Sequence, residues 1–179
     1  MCVMFLLMIG QEVSYGGWVA SYAVMSKYST KERATIYSSI YYMAITAFRF
    51  IFAFIPGSGK CKLISMYLMS IASVVLSLVL IHHFDPHFGL VLGSFLLGMA
   101  DSITFPQTLT LSQQYDRKVT PSMNSSFFLC ASVGEGTLAM FFGLFLSINA
   151  DMLFYGIMLI SSILLALLLI TIRSLEQRT

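Results

Sequence analysis

Four ionisable residues stand inside otherwise apolar stretches of the chain: Glu12, Arg49, Asp101 and Glu135. A buried charge must be paired or hydrogen-bonded. Three acids and one base cannot all pair with one another, so at least one acid needs water, a proton or a cation. A carboxylate in such a place can accept hydrogen bonds from solute hydroxyls, or bind and release H+ or Na+. Glu12, Asp101 and Glu135 are therefore the candidate ion-coupling residues. The structural alternative is an ion pair that locks helices together, with Arg49 held by Glu12 as first candidate and Glu135 as second.

The neighbours of these charges suggest a ligand. Gln11, Tyr15, Trp18 and Tyr22 recur at helical spacing and share a face, with Glu12 at its edge. Tyr and Trp offer a flat apolar ring with a hydrogen-bonding handle, which suits a sugar-like solute; Tyr22 is better placed as an interfacial anchor. Tyr42, Thr46 and Arg49 form a second polar stripe. Asp101, Thr104 and Thr108 form a third, with Gln107 beside them. The candidate solute-binding set is Gln11, Glu12, Tyr15, Trp18, Arg49 and Gln107.

The elements that carry these residues must live in lipid. Hydrophobic residues make up 58% of the 179 and charged residues 10%, with a mean hydropathy of +0.84. Soluble domains carry roughly a quarter charged residues. The net charge of +2 gives no sign of nucleic-acid binding, and Cys2, Cys61 and Cys130 define no disulfide framework. The apolar start "MCVMFLLMIG" lacks the basic region of a signal peptide and runs on to about Tyr22.

A spanning helix needs about 20 mostly apolar residues. Six such stretches are predicted, at about 2–25, 34–55, 63–81, 88–114, 123–147 and 152–172. Backbone groups in lipid must be paired within the segment, so helices are expected and membrane strands are not. The fold class is thus all-α, a multi-pass membrane protein. At about 2.5–3.5 kcal/mol each on insertion scales, mid-membrane charges usually face a bundle interior or a water-filled cavity. Lys60, Lys62, Arg117, Lys118, Arg173 and Arg178 on one side against Lys27, Lys31 and Arg33 on the other favour cytoplasmic termini. Glu12 and Arg49 fall in spans one and two, Asp101 and Glu135 in spans four and five. That placement suits two inverted three-helix repeats with a site near the midplane. Gly16-Gly17, Gly89 with Gly93, and Gly134 with Gly136 favour close helix approach. Pro106 is expected to kink span four just past Asp101 and free a carbonyl.

Other signals lead nowhere. "GSGK" at 57–60 lacks the first Gly and the final Ser or Thr of a phosphate loop. His82, His83 and His87 with Asp85 have no zinc-site spacing, so no metal is expected. The Asn124 sequon falls on the cytoplasmic end of span five. No nucleophile, base and orienting group stand together, so no catalytic residue and no enzyme activity are expected.

The stretches "GQEVSYGGWVASYA", "AITAFRFIFAFIP", "LGMADSITFPQTLTLSQQY" and "ASVGEGTLAMFFG" resemble helices seven, eight, ten and eleven of the major facilitator superfamily. The branch most similar is the sodium-dependent glucose transporter-like group, near the fucose permeases. The likeness runs in order over almost the whole chain. One departure is Phe48, where the superfamily often has Gly before the helix-eight arginine. The resemblance implies that residues 1–179 form a C-terminal six-helix domain. It implies alternating-access transport of a sugar or similar small polar solute, a lipid bilayer as surroundings, and no cofactor beyond a coupling ion, Na+ or H+. It also implies an N-terminal six-helix half as partner, the chain being a fragment of a twelve-helix carrier. A half-size protein working as a homodimer and a non-transporting membrane subunit are the rival expectations.

Overall fold

The computed structural model describes residues 1–54, 59–115 and 121–176. Ile55, the Gly57-Ser58 start of the rejected phosphate-loop signal, and Arg117, Lys118 and Arg178 of the orientation argument lie outside the described residues. These form α1 (Cys2–Met25), α2 (Lys31–Phe54), α3 (Gly59–His83), α4 (Pro86–Asp101), α5 (Thr104–Tyr115), α6 (Pro121–Ile148) and α7 (Met152–Glu176), with no strand among them. The helices α4 and α5 continue one another as a single span, Pro86–Leu111. Six helices are long and apolar enough to cross a membrane, so the chain is an all-helical, multi-pass integral membrane protein.

The polar breaks stop and start helices by recognisable means. After α1 the chain takes a left-handed residue, Lys27 (φ 59°), and the Tyr28 and Ser29 amides turn back to the Ala23 carbonyl, as at a helix C-terminus closed by a Schellman turn. Asp85 caps α4 by accepting the His87 amide at 2.9 Å, with Pro86 in the first turn, where a missing N–H costs nothing.

The main packing pairs are α1 with α6, α3 with α4, α2 with α4, α3 with α7, α1 with α2, and α1 with α7. Exchanging each span with the one three places later turns each of these except α1–α2 into another member of the set, or into itself. The α1–α2 and α6–α7 contacts fall outside this scheme.

Polar groups pin the dry core. Gln11 of α1 donates to Ser70 of α3 (3.5 Å), accepts from Ser161 of α7 (3.1 Å), and the two serines bond each other (3.0 Å). Tyr15 meets Ser94 at 2.9 Å. Interhelical bonds of this kind average about 0.6 kcal/mol in membranes, so their value lies as much in fixing register as in strength. Phe48 on α2, half-buried, packs edge-on to Phe95 on α4 with ring centroids 5.6 Å apart.

The helices α1 and α6 approach most closely at Gly10 and Gly134. A methyl at Gly134 would overlap the Leu6 carbonyl, whereas one at Gly136 would meet nothing within 4 Å. Gly134→Ala is therefore expected to destabilise the fold by about 1–3 kcal/mol, the usual cost of overpacking. Gly136→Ala should leave the thermal midpoint in detergent unchanged. Equal effects of the two would show that α1–α6 contact does not depend on that approach.

Candidate functional site

The site begins with a missing donor. In a continuous helix the amide of residue 106 would bond the carbonyl of residue 102, but Pro106 has none and its ring crowds that carbonyl. As the sequence leads one to expect, the break lies just past Asp101, at Ser102-Ile103, because the distortion falls on the carbonyls N-terminal to a proline. Side chains answer three of the carbonyls there. The Ser102 hydroxyl donates to Met99 O (2.7 Å) and the Thr104 hydroxyl to Asp101 O (2.8 Å). The Ser102 carbonyl itself accepts from Nε of Arg49, reaching over from α2, at 2.9 Å.

Arg49 faces two ways. Its Nη2 lies 3.8 Å from Oε1 of Glu12 on α1. The Arg49 side chain is 47% exposed and that of Glu12 only 15%, so the guanidinium stands at the mouth of a cleft and the carboxylate at its floor. The other Glu12 oxygen, Oε2, is buried with no hydrogen-bond partner among the described residues. Glu135 of α6 borders the same cleft of about 290 Å³, together with Ser132, Phe105 and Phe128. The two rings lie 5.8 Å apart. Above it, the Tyr42 ring covers Gly16, in the space a methyl there would need.

The candidate residues separate into two groups. Glu12, Arg49 and Glu135 come together at the cleft. Gln11, Tyr15 and Trp18 do not join them. Gln11 and Tyr15 are buried in the core in the bonds described above, and Trp18 donates its indole N–H to the Ala139 carbonyl at 2.8 Å. The face they share is thus turned into the bundle, where α3, α4, α6 and α7 supply their polar partners; a helix in a bundle has polar groups on its packed side as well as on an open one. Asp101 is also away from the cleft. It is 5% exposed and accepts from the Tyr41 hydroxyl at 2.7 Å, so it ties α4 to α2. Gln107 is half-buried and outside the cleft lining, and Thr108 is spent on the sulfur of Met8.

Sequence reasoning missed Ser132, Phe128 and Phe105. The first two could have been found by reading α6 at helical spacing back from Glu135. The Ser102 carbonyl is signalled only by the proline four residues later.

Chemically, the cleft offers a guanidinium, two carboxylates and a hydroxyl beside a pair of aromatic rings. Comparison with known proteins adds no relative: no family model, curated protein or solved structure matches the chain.

Arg49→Met should cost about 1.5–3 kcal/mol of stability, the range for hydrogen bonds to a charged group. In a Pro106→Ala background, where an amide again faces the Ser102 carbonyl, that penalty should shrink by about 1 kcal/mol, the worth of one hydrogen bond, and the remainder is the loss of the partner of Glu12. Thermal unfolding of the two single variants and the double variant decides it. An undiminished penalty would mean that Arg49 does not serve this carbonyl.

Proposed function

We propose that the chain is one half of a solute carrier, the C-terminal six-helix domain of a major facilitator fold, and that the Glu12–Arg49–Glu135 cleft is its side of the solute path. The observation that carries this reading is a charged cleft inside apolar spans, bordered by a broken helix. Intramembrane charges of this kind mark solute and ion pathways by default, and broken helices bring unpaired backbone groups to midplane binding sites. The packing scheme of the spans fits two inverted three-helix repeats.

The solute is a small polar molecule of the sugar class. Its hydroxyls donate to Glu12 and Glu135 and accept from Arg49, while its apolar ring face lies on Phe105 or Phe128. The unpartnered Oε2 of Glu12 makes this carboxylate the first candidate for coupling to H+ or Na+, ahead of Asp101, whose tyrosine bond is structural. The bilayer surrounds the bundle, and the termini face the cytoplasm. A second six-helix body covers the open side of the cleft; in the reading from resemblance it is an N-terminal half.

The test is uptake of labelled glucose and fucose into proteoliposomes holding the chain with an N-terminal half, and the chain alone. Uptake by the pair and none by the chain alone is expected; uptake by the chain as a dimer would favour the homodimeric reading, and none in either case the non-transporting one. Glu12→Gln should abolish ion-driven accumulation; exchange of solute down its gradient survives if Glu12 serves only the coupling ion and weakens, with ion dependence kept, if it serves only the solute hydroxyls. Wild-type accumulation at all pH values and sodium concentrations would remove Glu12 from the mechanism.

A further inference from the structure

The first connection is too basic for the side of the membrane on which the charge balance places it, and its structure gives those charges a use. Lys27, Lys31 and Arg33 are exposed, and no carboxylate among the described residues lies within ion-pair distance of any of them. Lys27 and Arg33 border a cup of about 410 Å³ together with His87 and the Ser29-Thr30 turn. The His87 ring is oriented by the Tyr37 hydroxyl, 2.5 Å from its Nδ1. Directly beside the cup, sharing Val24 with it, lies a second hollow of about 410 Å³. Its lining is mostly apolar, with Trp18, Met25 and Ala34, and Lys31 stands among them.

Depth makes the pair of hollows legible. The 24 residues of α1 extend roughly 36 Å, more than the hydrocarbon core of about 30 Å. Lys27 and Arg33 therefore stand at headgroup level, and the apolar hollow beside Trp18 and Val24 runs down into the acyl region. Lys27 also occupies a left-handed backbone position, which costs a non-glycine residue about 1–2 kcal/mol. A glycine would close this helix end better, so the lysine side chain is present at the expense of the turn.

We propose that the α1–α2 corner is a binding site for an anionic phospholipid. Lys27, Arg33 and His87 hold the phosphate, Lys31 closes over it, and one acyl chain lies along Trp18 and Val24. Basic pockets between spanning helices select anionic headgroups in this way. The site is separate from the Glu12–Arg49 cleft and does not depend on what that cleft carries.

Native mass spectrometry of the full chain in detergent tests this, with phosphatidylglycerol and phosphatidylcholine of identical acyl chains as probes. Phosphatidylglycerol is expected to be retained in preference to phosphatidylcholine. Lys27→Gln with Arg33→Gln should weaken its retention by about fivefold for each cation removed. Lys27→Gly serves as the second variant: it relieves the backbone and should keep or raise the thermal midpoint, yet still lose about fivefold in retention. Equal retention of the two lipids, or undiminished retention by the variants, overturns the proposal. So does displacement of the lipid by millimolar inorganic phosphate, which would make the ligand a free phosphate.

Discussion

A single unanswered carbonyl organises the middle of this bundle. Pro106 removes the amide that the oxygen of Ser102 would have used, and in lipid an unpaired backbone acceptor costs several kcal/mol. The donor has to come from another helix, and it comes from Arg49. That choice has consequences, because a guanidinium cannot be carried into a membrane unaccompanied. Its other edge needs an acid, and Glu12 on α1 supplies one. Three spans are thus joined by one side chain. The acid in turn has one oxygen left over, which is where structural necessity ends and capacity for chemistry begins.

Around that point the protein divides into a dry side and an open side. On the dry side several polar groups of the core are matched in small sets: Gln11 with Ser70 and Ser161, Tyr15 with Ser94, and Tyr41 with Asp101; the buried Ser14 hydroxyl has no partner among the described residues. On the open side Arg49 and Glu135 remain exposed between apolar residues. The carrier proposed above would use both kinds of surface, one to keep the helices in register and one to meet a solute.

The reading of spans from hydropathy found the six membrane-long helices of the described residues, because the lipid requirement of about 20 apolar residues is strong and local. Span four is the instructive case. Its length, its proline and a break just past Asp101 were legible, but the neighbour that answers the deprived carbonyl was not, since Arg49 reaches it from another helix. The fate of the polar face on α1 was illegible for a related reason. Gln11, Tyr15 and Trp18 satisfy helical spacing equally well whether they look into a cavity or into a packed core, and only serines and a carbonyl from distant parts of the chain decide between them. Glu12 and Arg49, by contrast, could be paired from sequence, because the penalty for leaving either alone restricts the possible partners to a few.

The central claim is that the Glu12–Arg49–Glu135 cleft is wet within a membrane-spanning bundle. The direct measurement is thiol labelling in intact proteoliposomes, in a background where Cys2, Cys61 and Cys130 are serine. Ser132→Cys, on the cleft wall, is compared with Ile163→Cys, on the apolar surface of α7 and 41% exposed. A charged, membrane-impermeant methanethiosulfonate should modify position 132 rapidly and position 163 hardly at all. Equal protection of both positions would mean that lipid or protein fills the cleft, and the account of a solute path would fail.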